Sequence, residues 1–316
     1  MLATKENVAR LSILSVSLLI IMKAVASIIT GSIAIRADAV HSVIDLSGVI
    51  IGYIGIKISG KPPDAEHAFG HGKAEHIAGG VIGGLIFIAA GTIFYQAIRN
   101  LISGATVELV PLGIYVTLAA IVINVTVSRY ALSVARSTDS PALEASARDL
   151  FADVLSSCAV LAGLVLVQFT GISRLDPIVA LLVAVIIVRT AFLTVKKSIL
   201  GLMDTRLPGE EEDEIISCIR EHTTQLAGFH KVRTRKAGSQ RFIDFHLMLP
   251  KNMSLDEAHL MCDHLEKDIE NRLPHSSATI HVEPCGTECE DCLISSCSLR
   301  IGISRAGKNL GHAAKD

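Results

Sequence analysis

His41 and Asp45 stand four residues apart in the stretch AVHSVID, and Asp149 and Asp153 repeat that spacing in RDLFAD. At helical pitch each pair shares one face. Both stretches sit inside apolar runs, where ionisable side chains are expensive and face a cavity or one another. One imidazole and three carboxylates make a four-coordinate set for a divalent cation. Zinc takes such ligands in tetrahedral geometry. Fe2+, Co2+, Mn2+ and Cd2+ stay open, because affinity order alone does not choose the metal. A hydrogen-bonded network or a proton path is the competing reading of a single buried ionisable group; two matched pairs favour a metal site. Asp38, one turn before His41, reads as a supporting partner, and Arg148 as a side chain snorkelling to the membrane surface.

Those pairs need helices to hold them. Half of the 316 residues are hydrophobic, and the long apolar runs fall in the first two thirds of the chain. Spans of about 20 apolar residues cross a hydrocarbon core. Six are expected, near 8–30, 33–58, 77–98, 109–134, 143–169 and 177–195. Lys5, Arg10, Lys57, Lys61, Lys73, Arg129, Arg136, Lys196 and Lys197 cluster on one side, against Arg36, Arg99 and Arg174 on the other. Positive residues mark the cytoplasmic side, so both termini are expected there. A cleaved signal peptide ending near Ala24-Val25-Ala26 is the weaker alternative, since five more spans follow. Span two then runs inward and span five outward, which lets the two pairs meet near the bilayer midplane. In span three, Gly80-x-x-x-Gly84 suits close helix packing. The net charge of −2 gives no support to nucleic-acid binding.

A composition change near Leu207-Pro208-Gly209 opens a charged, mixed region. It reads as αββαβ: a helix over 211–224, strands over 228–236 and 241–249 joined by Ala-Gly-Ser-Gln, a helix from the Ser254/Glu257 capping box to Arg272, and a strand over 278–283. This is a small ferredoxin-like sheet with both helices on one face. Alternation places Ile243, Phe245 and Leu247 on the covered face with Ile280 and Val282. His246, His281 and Glu283 fall on the open face, a candidate dimer surface, and His230 and His259 add imidazoles. The expected domains are 1–206 (transmembrane), 207–285 (cytoplasmic) and 286–316 (tail). Cys285, Cys289, Cys292 and Cys297 have plausible thiolate-ligand spacing, and a flexible tail with oxidisable thiols explains them equally well. The loop between spans two and three holds a short acid and imidazole cluster, Asp64, His67 and His71.

Taken together, AVHSVID and RDLFAD resemble the paired transport motifs of the cation diffusion facilitator family, nearest to its bacterial zinc and ferrous-iron efflux pumps. The likeness runs to about Cys285. It implies a metal/proton antiporter with His41, Asp45, Asp149 and Asp153 as transport ligands. It implies a loop site at Asp64, His67 and His71, matching a D-x-x-H-x-x-x-H pattern, and a pair between Lys73 and Asp204 joining the domains. It also implies a homodimer whose cytoplasmic domain binds regulatory metal through His230, His246, His259, His281 and Glu283. The bacterial pumps carry Asp at the position of His41, His at that of Asp149 and Asp at that of Glu283.

The expectation is therefore an inner-membrane exporter of Zn2+ or Fe2+, driven by protons through alternating access. A membrane-anchored metal sensor without turnover is the alternative. There is no H-E-x-x-H pattern and no nucleophile motif, so the chain reads as a non-enzyme.

Overall fold

The computed structural model describes residues 4–30, 33–103, 111–170, 175–222 and 226–285. The chain divides into two compact units, Met1–Met203 and Asp204–Asp316.

The first unit is a bundle of α1 (Lys5–Thr30), α2 (Ile33–Ser59), α3 (Ala74–Ser103), α4 (Pro111–Ser137), α5 (Pro141–Thr170) and α6 (Leu175–Leu202). Helix α1 shows why these residues form such elements. Leu11, Leu14, Leu18, Ile21, Val25 and Ile28 recur at three- and four-residue steps and are all exposed, while Val8, Ser12, Val16, Leu19 and Lys23 face inward. In water that polarity would be inverted. In lipid it is the stable arrangement, and a helix also satisfies its own backbone groups there. Among the described residues, four stretches are long and apolar enough to cross a membrane: Lys5–Ala26, Ala74–Ile102, Ile114–Ser137 and Pro177–Leu202. Helices α2 and α5, which carry the paired ionisable residues, have comparable lengths of 27 and 30 residues.

Small residues set how closely the helices approach. A β-carbon on Gly83 would lie 2.7 Å from Val195 of α6, and one on Gly79 would lie 2.7 Å from the Ser198 hydroxyl. Gly80 and Gly84 do not make this contact: a β-carbon on Gly80 would meet Ser198 at 3.6 Å and one on Gly84 would meet nothing within 4 Å. The packing ridge is thus Gly79 and Gly83, one position before the expected pair. The rotation of α3 against α6 decides which of two adjacent glycine ridges faces in.

The loop-side ends of the bundle share a buried carboxylate. Glu75 is inaccessible and accepts from Lys5 Nζ, Ser59 Oγ and Ser140 Oγ. One residue on, the buried His76 ring sits against Gly201 of α6.

The second unit contains α7 (Gly209–Glu221), β1 (Gly228–Ala237), β2 (Gln240–Leu249), α8 (Leu255–Arg272) and β3 (Ser276–Pro284). Three glutamates in the first turn of α7 suit the positive end of its dipole. Helix α8 starts with a complete capping box between Ser254 and Glu257. The sheet order is β1-β2-β3, with β1 antiparallel and β3 parallel to β2. Gly238, at φ 64°, supplies the positive φ that the two-residue hairpin between Ala237 and Gln240 requires. Ile243, Phe245, Leu247 and Leu249 form one core with Ile215, Ile219, Leu265 and Ile269 of the helices. The cover extends over Ala278 and Ile280 of β3. Val282, expected on the covered face, is exposed instead, since it lies beyond that cover. A register shift between His230 and Arg233, with Lys231 at φ 52°, bends β1 as a bulge does and leaves His230 opposite His246.

Candidate metal centres

In the bundle, α2 and α5 pack so closely that a β-carbon on Gly48 would lie 2.8 Å from Asp149 Oδ2. Asp149 is buried, and its Oδ2 has no hydrogen-bond partner among the described residues. Asp45 and Asp153 lie near enough for their charges to act on it. Asn124 of α4, itself buried, donates from Nδ2 to Asp153 Oδ2 at 2.7 Å. This fixes the carboxylate as an outer hydrogen-bond partner fixes a metal ligand. A buried carboxylate oxygen that no donor satisfies can take a proton or ligate a cation. His41 belongs to α2, four residues before Asp45; its side chain and that of Asp38 lie outside the described residues. Spacing alone did not single out Asn124 or Lys23. Lys23 of α1 is buried and donates to Ser42 Oγ at 2.8 Å, beside His41 in the chain. Its signal was a lone lysine within an apolar span.

In the loop, Asp64 gathers its partners locally. Its Oδ1 accepts from the His67 backbone N–H at 2.7 Å and lies 3.3 Å from His67 Nδ1. Its Oδ2 lies 3.3 Å from His71 Nε2. The backbone N–H of His67 is the main cause that holds the Asp64 carboxyl below its ordinary value, against desolvation; the Glu66 N–H and the His67 and His71 side chains add to it. Gly70, at φ 76°, turns the chain so that the His67 and His71 rings come within 4.4 Å of each other. Glu75 and His76, which follow in sequence, are buried in the bundle instead. Lys73 donates to the Leu202 carbonyl at 3.3 Å, and Asp204 engages Arg235 within its own unit.

On the open face of the sheet, Glu283 lies among three imidazoles. Its Oε1 accepts from His246 Nδ1 at 2.7 Å and is 3.7 Å from His281 Nε2. Its Oε2 is 3.3 Å from His230 Nε2. The rings of His230 and His281 lie 5.2 and 4.6 Å from that of His246. The hydrogen bond from His246, helped by the charges of His246, His230 and Lys231, holds the Glu283 carboxyl below its ordinary value despite desolvation. Ligand atoms of His230, His246 and Glu283 fall within 4.8 Å of one another, as do those of Asp64, His67 and His71. Mixed imidazole and carboxylate donors of this kind suit zinc-class cations. His259 is not brought to this group: it is exposed on α8, 3.8 Å from Asp263. Cys285 follows β3 as a free thiol, while Cys289, Cys292 and Cys297 lie outside the described residues.

Comparison with known proteins agrees with this architecture. Residues 9–203 match the cation efflux transmembrane domain, and residues 207–285 match the cation efflux protein cytoplasmic domain. An uncharacterised transporter of Synechocystis is 35% identical over 256 residues, 81% of this chain and 83% of that protein. The cation-efflux pump FieF of Cronobacter sakazakii is 34% identical over 269 residues, 85% of this chain and 89% of the pump. A solved metal-bound C-terminal domain of the CzcD transporter from Thermotoga maritima is 28% identical, covering 24% of this chain and 90% of that one at a TM-score of 0.24. With matched models over both units and full-length relatives at this identity, the chain belongs to the cation efflux family, the cation diffusion facilitators.

Proposed function

We propose that the chain exports Zn2+ or Fe2+ from the cytoplasm of a bacterial cell in exchange for protons, as a homodimer in the inner membrane with both termini inside. The observation that carries the reading is Asp149 Oδ2, a buried carboxylate oxygen with no hydrogen-bond partner among the described residues. It lies in the contact of α2 with α5, under the charges of Asp45 and Asp153. With His41, these residues make the cargo site. Cation and protons compete for the same lone pairs, so loading on one side releases protons and protonation on the other releases the cation. Alternating exposure of this one site couples the two flows.

The loop cluster of Asp64, His67 and His71 and the sheet cluster of His230, His246, His281 and Glu283 are proposed as additional metal sites, the latter sensing cytoplasmic metal. His259 is proposed as a further ligand of the sheet site. Lys73 and Asp204 are proposed to pair between the domains.

The test is proton flux in proteoliposomes driven by zinc, ferrous iron or manganese, for wild type, Asp45→Ala and Asp149→Asn. Flux with one cation, lost in both variants, supports the antiporter and names its cargo. Metal binding at the sheet cluster without flux for any cation would make the chain a sensor.

A further inference from the structure

Helices α7 and α8 bring together a third cluster, away from the open face of the sheet. His222 ends α7 as its C-cap, and His264 and Asp268 occupy successive turns of α8. His222 Nε2 lies 3.3 Å from Asp268 Oδ2, and His264 Nε2 lies 3.5 Å from the same oxygen. One ligand atom from each residue falls within 4.8 Å of the other two. The rings meet edge-on at 5.1 Å.

These separations have a chemical meaning. Charge-assisted N–H···O⁻ bonds close to about 2.7–2.9 Å, and neither contact does. Two donors each 2.0–2.1 Å from a tetrahedral zinc stand about 3.3 Å apart. The same 3.3 Å separates Asp64 Oδ2 from His71 Nε2 and His230 Nε2 from Glu283 Oε2.

The surroundings orient the donors. His222 Nδ1 lies 3.0 Å from the Cys218 carbonyl oxygen. A carbonyl only accepts, so Nδ1 carries a ring proton and the ring is held with its Nε2 edge toward Asp268. Metal-ligating histidines are held in this way. The last turn of α7 adds the negative end of a helix dipole. Arg272, on the same helix one turn after Asp268, is engaged by Glu221 and Glu214. His264 is exposed, so an ion can reach the site from solvent.

We propose that His222, His264 and Asp268 form a binding site for a zinc-class divalent cation, with water completing the coordination, that clamps α7 to α8. This site shares no residue with the transport, loop or sheet clusters and does not depend on turnover.

Equilibrium dialysis of the full-length chain in detergent against Zn2+ tests it, comparing wild type with His264→Gln, with His264→Gln/Asp268→Asn, and with Asp256→Asn, exposed on α8, as a same-helix control. The double variant is expected to bind one zinc fewer per chain. His264→Gln, at an exposed position that folding tolerates, is expected to weaken one site by about tenfold or more. Asp256→Asn should leave the zinc stoichiometry unchanged. The second readout is the His222 imidazole NMR signal, which should shift on zinc addition in wild type and not in the double variant. Unchanged stoichiometry and affinity in His264→Gln, or a His222 signal indifferent to zinc, would overturn the assignment.

Discussion

Gly48 and Asp149 are in contact across α2 and α5: any β-carbon at residue 48 would stand 2.8 Å from Asp149 Oδ2. The carboxylate is short and buried, so it has little room to move aside. Gly48→Ala is therefore expected to displace Asp149 and weaken cargo binding by about tenfold or more, the scale seen when a ligand loses its support. Transport and zinc affinity in the same preparation check this. Wild-type affinity in Gly48→Ala would mean that Asp149 is not a ligand.

Lys23 and Ser42 give a second test. Ser42→Ala removes one hydrogen bond, worth about 1 kcal/mol. Lys23→Met removes a buried charge as well, and hydrogen bonds to charged groups are worth about 1.5–3 kcal/mol. Because Ser42 adjoins His41, the lysine variant is expected to lose transport more steeply than the serine variant. Parallel measurements of uptake and of thermal unfolding separate an effect on the site from an effect on the bundle.

Acid should act on the cytoplasmic unit through Glu283. Its folded pKa lies below the ordinary 4.5, chiefly through the His246 hydrogen bond. A depressed carboxylate contributes stability above its unfolded value and loses it as pH falls through the folded value. In chelator-treated protein, Glu283→Gln should therefore flatten the stability profile below about pH 4.5. Thermal unfolding recorded across this range is the measurement, and an unaltered acid limb would contradict the expectation.

His76 and Gly201 form the tightest side-chain contact to a glycine among the described residues, with a β-carbon at 201 falling 2.2 Å from the imidazole. Gly201→Ala is expected to destabilise the bundle by about 1–3 kcal/mol through overpacking. Adding His76→Ala should recover part of that loss, so the two substitutions are non-additive. Unfolding midpoints of the two single variants and the double variant decide the matter.

Much of the fold was legible because its signals are local. The apolar lengths marked the helices, Ser254 and Glu257 marked the start of α8, and alternation placed Ile243, Phe245 and Leu247 inside. Asp64, His67 and His71 were equally visible, since one turn of loop brings them together. What stayed hidden depends on facing and on distance along the chain. The choice of Gly79 and Gly83 over Gly80 and Gly84 is set by helix rotation, which composition does not encode. The bulge at Lys231, which aims His230 at His246, leaves no pattern in the residue types. His222 meets His264 and Asp268 only because α7 and α8 pack side by side, and Asn124 meets Asp153 only because α4 lies against α5.

The carboxylate of Glu75 has a mechanical consequence. Through Lys5, Ser59 and Ser140 it ties the loop-side ends of α1, α2 and α3 to the chain just before α5. Helices pinned at one end behave as levers. For the 26 residues of α1, about 39 Å long at 1.5 Å per residue, a tilt of about 5° about such a fulcrum moves the far end by roughly 3 Å while the pinned end stays still. A displacement of that size, greatest on the side away from the loop, is comparable to the radius of a hydrated opening and leaves the polar knot intact.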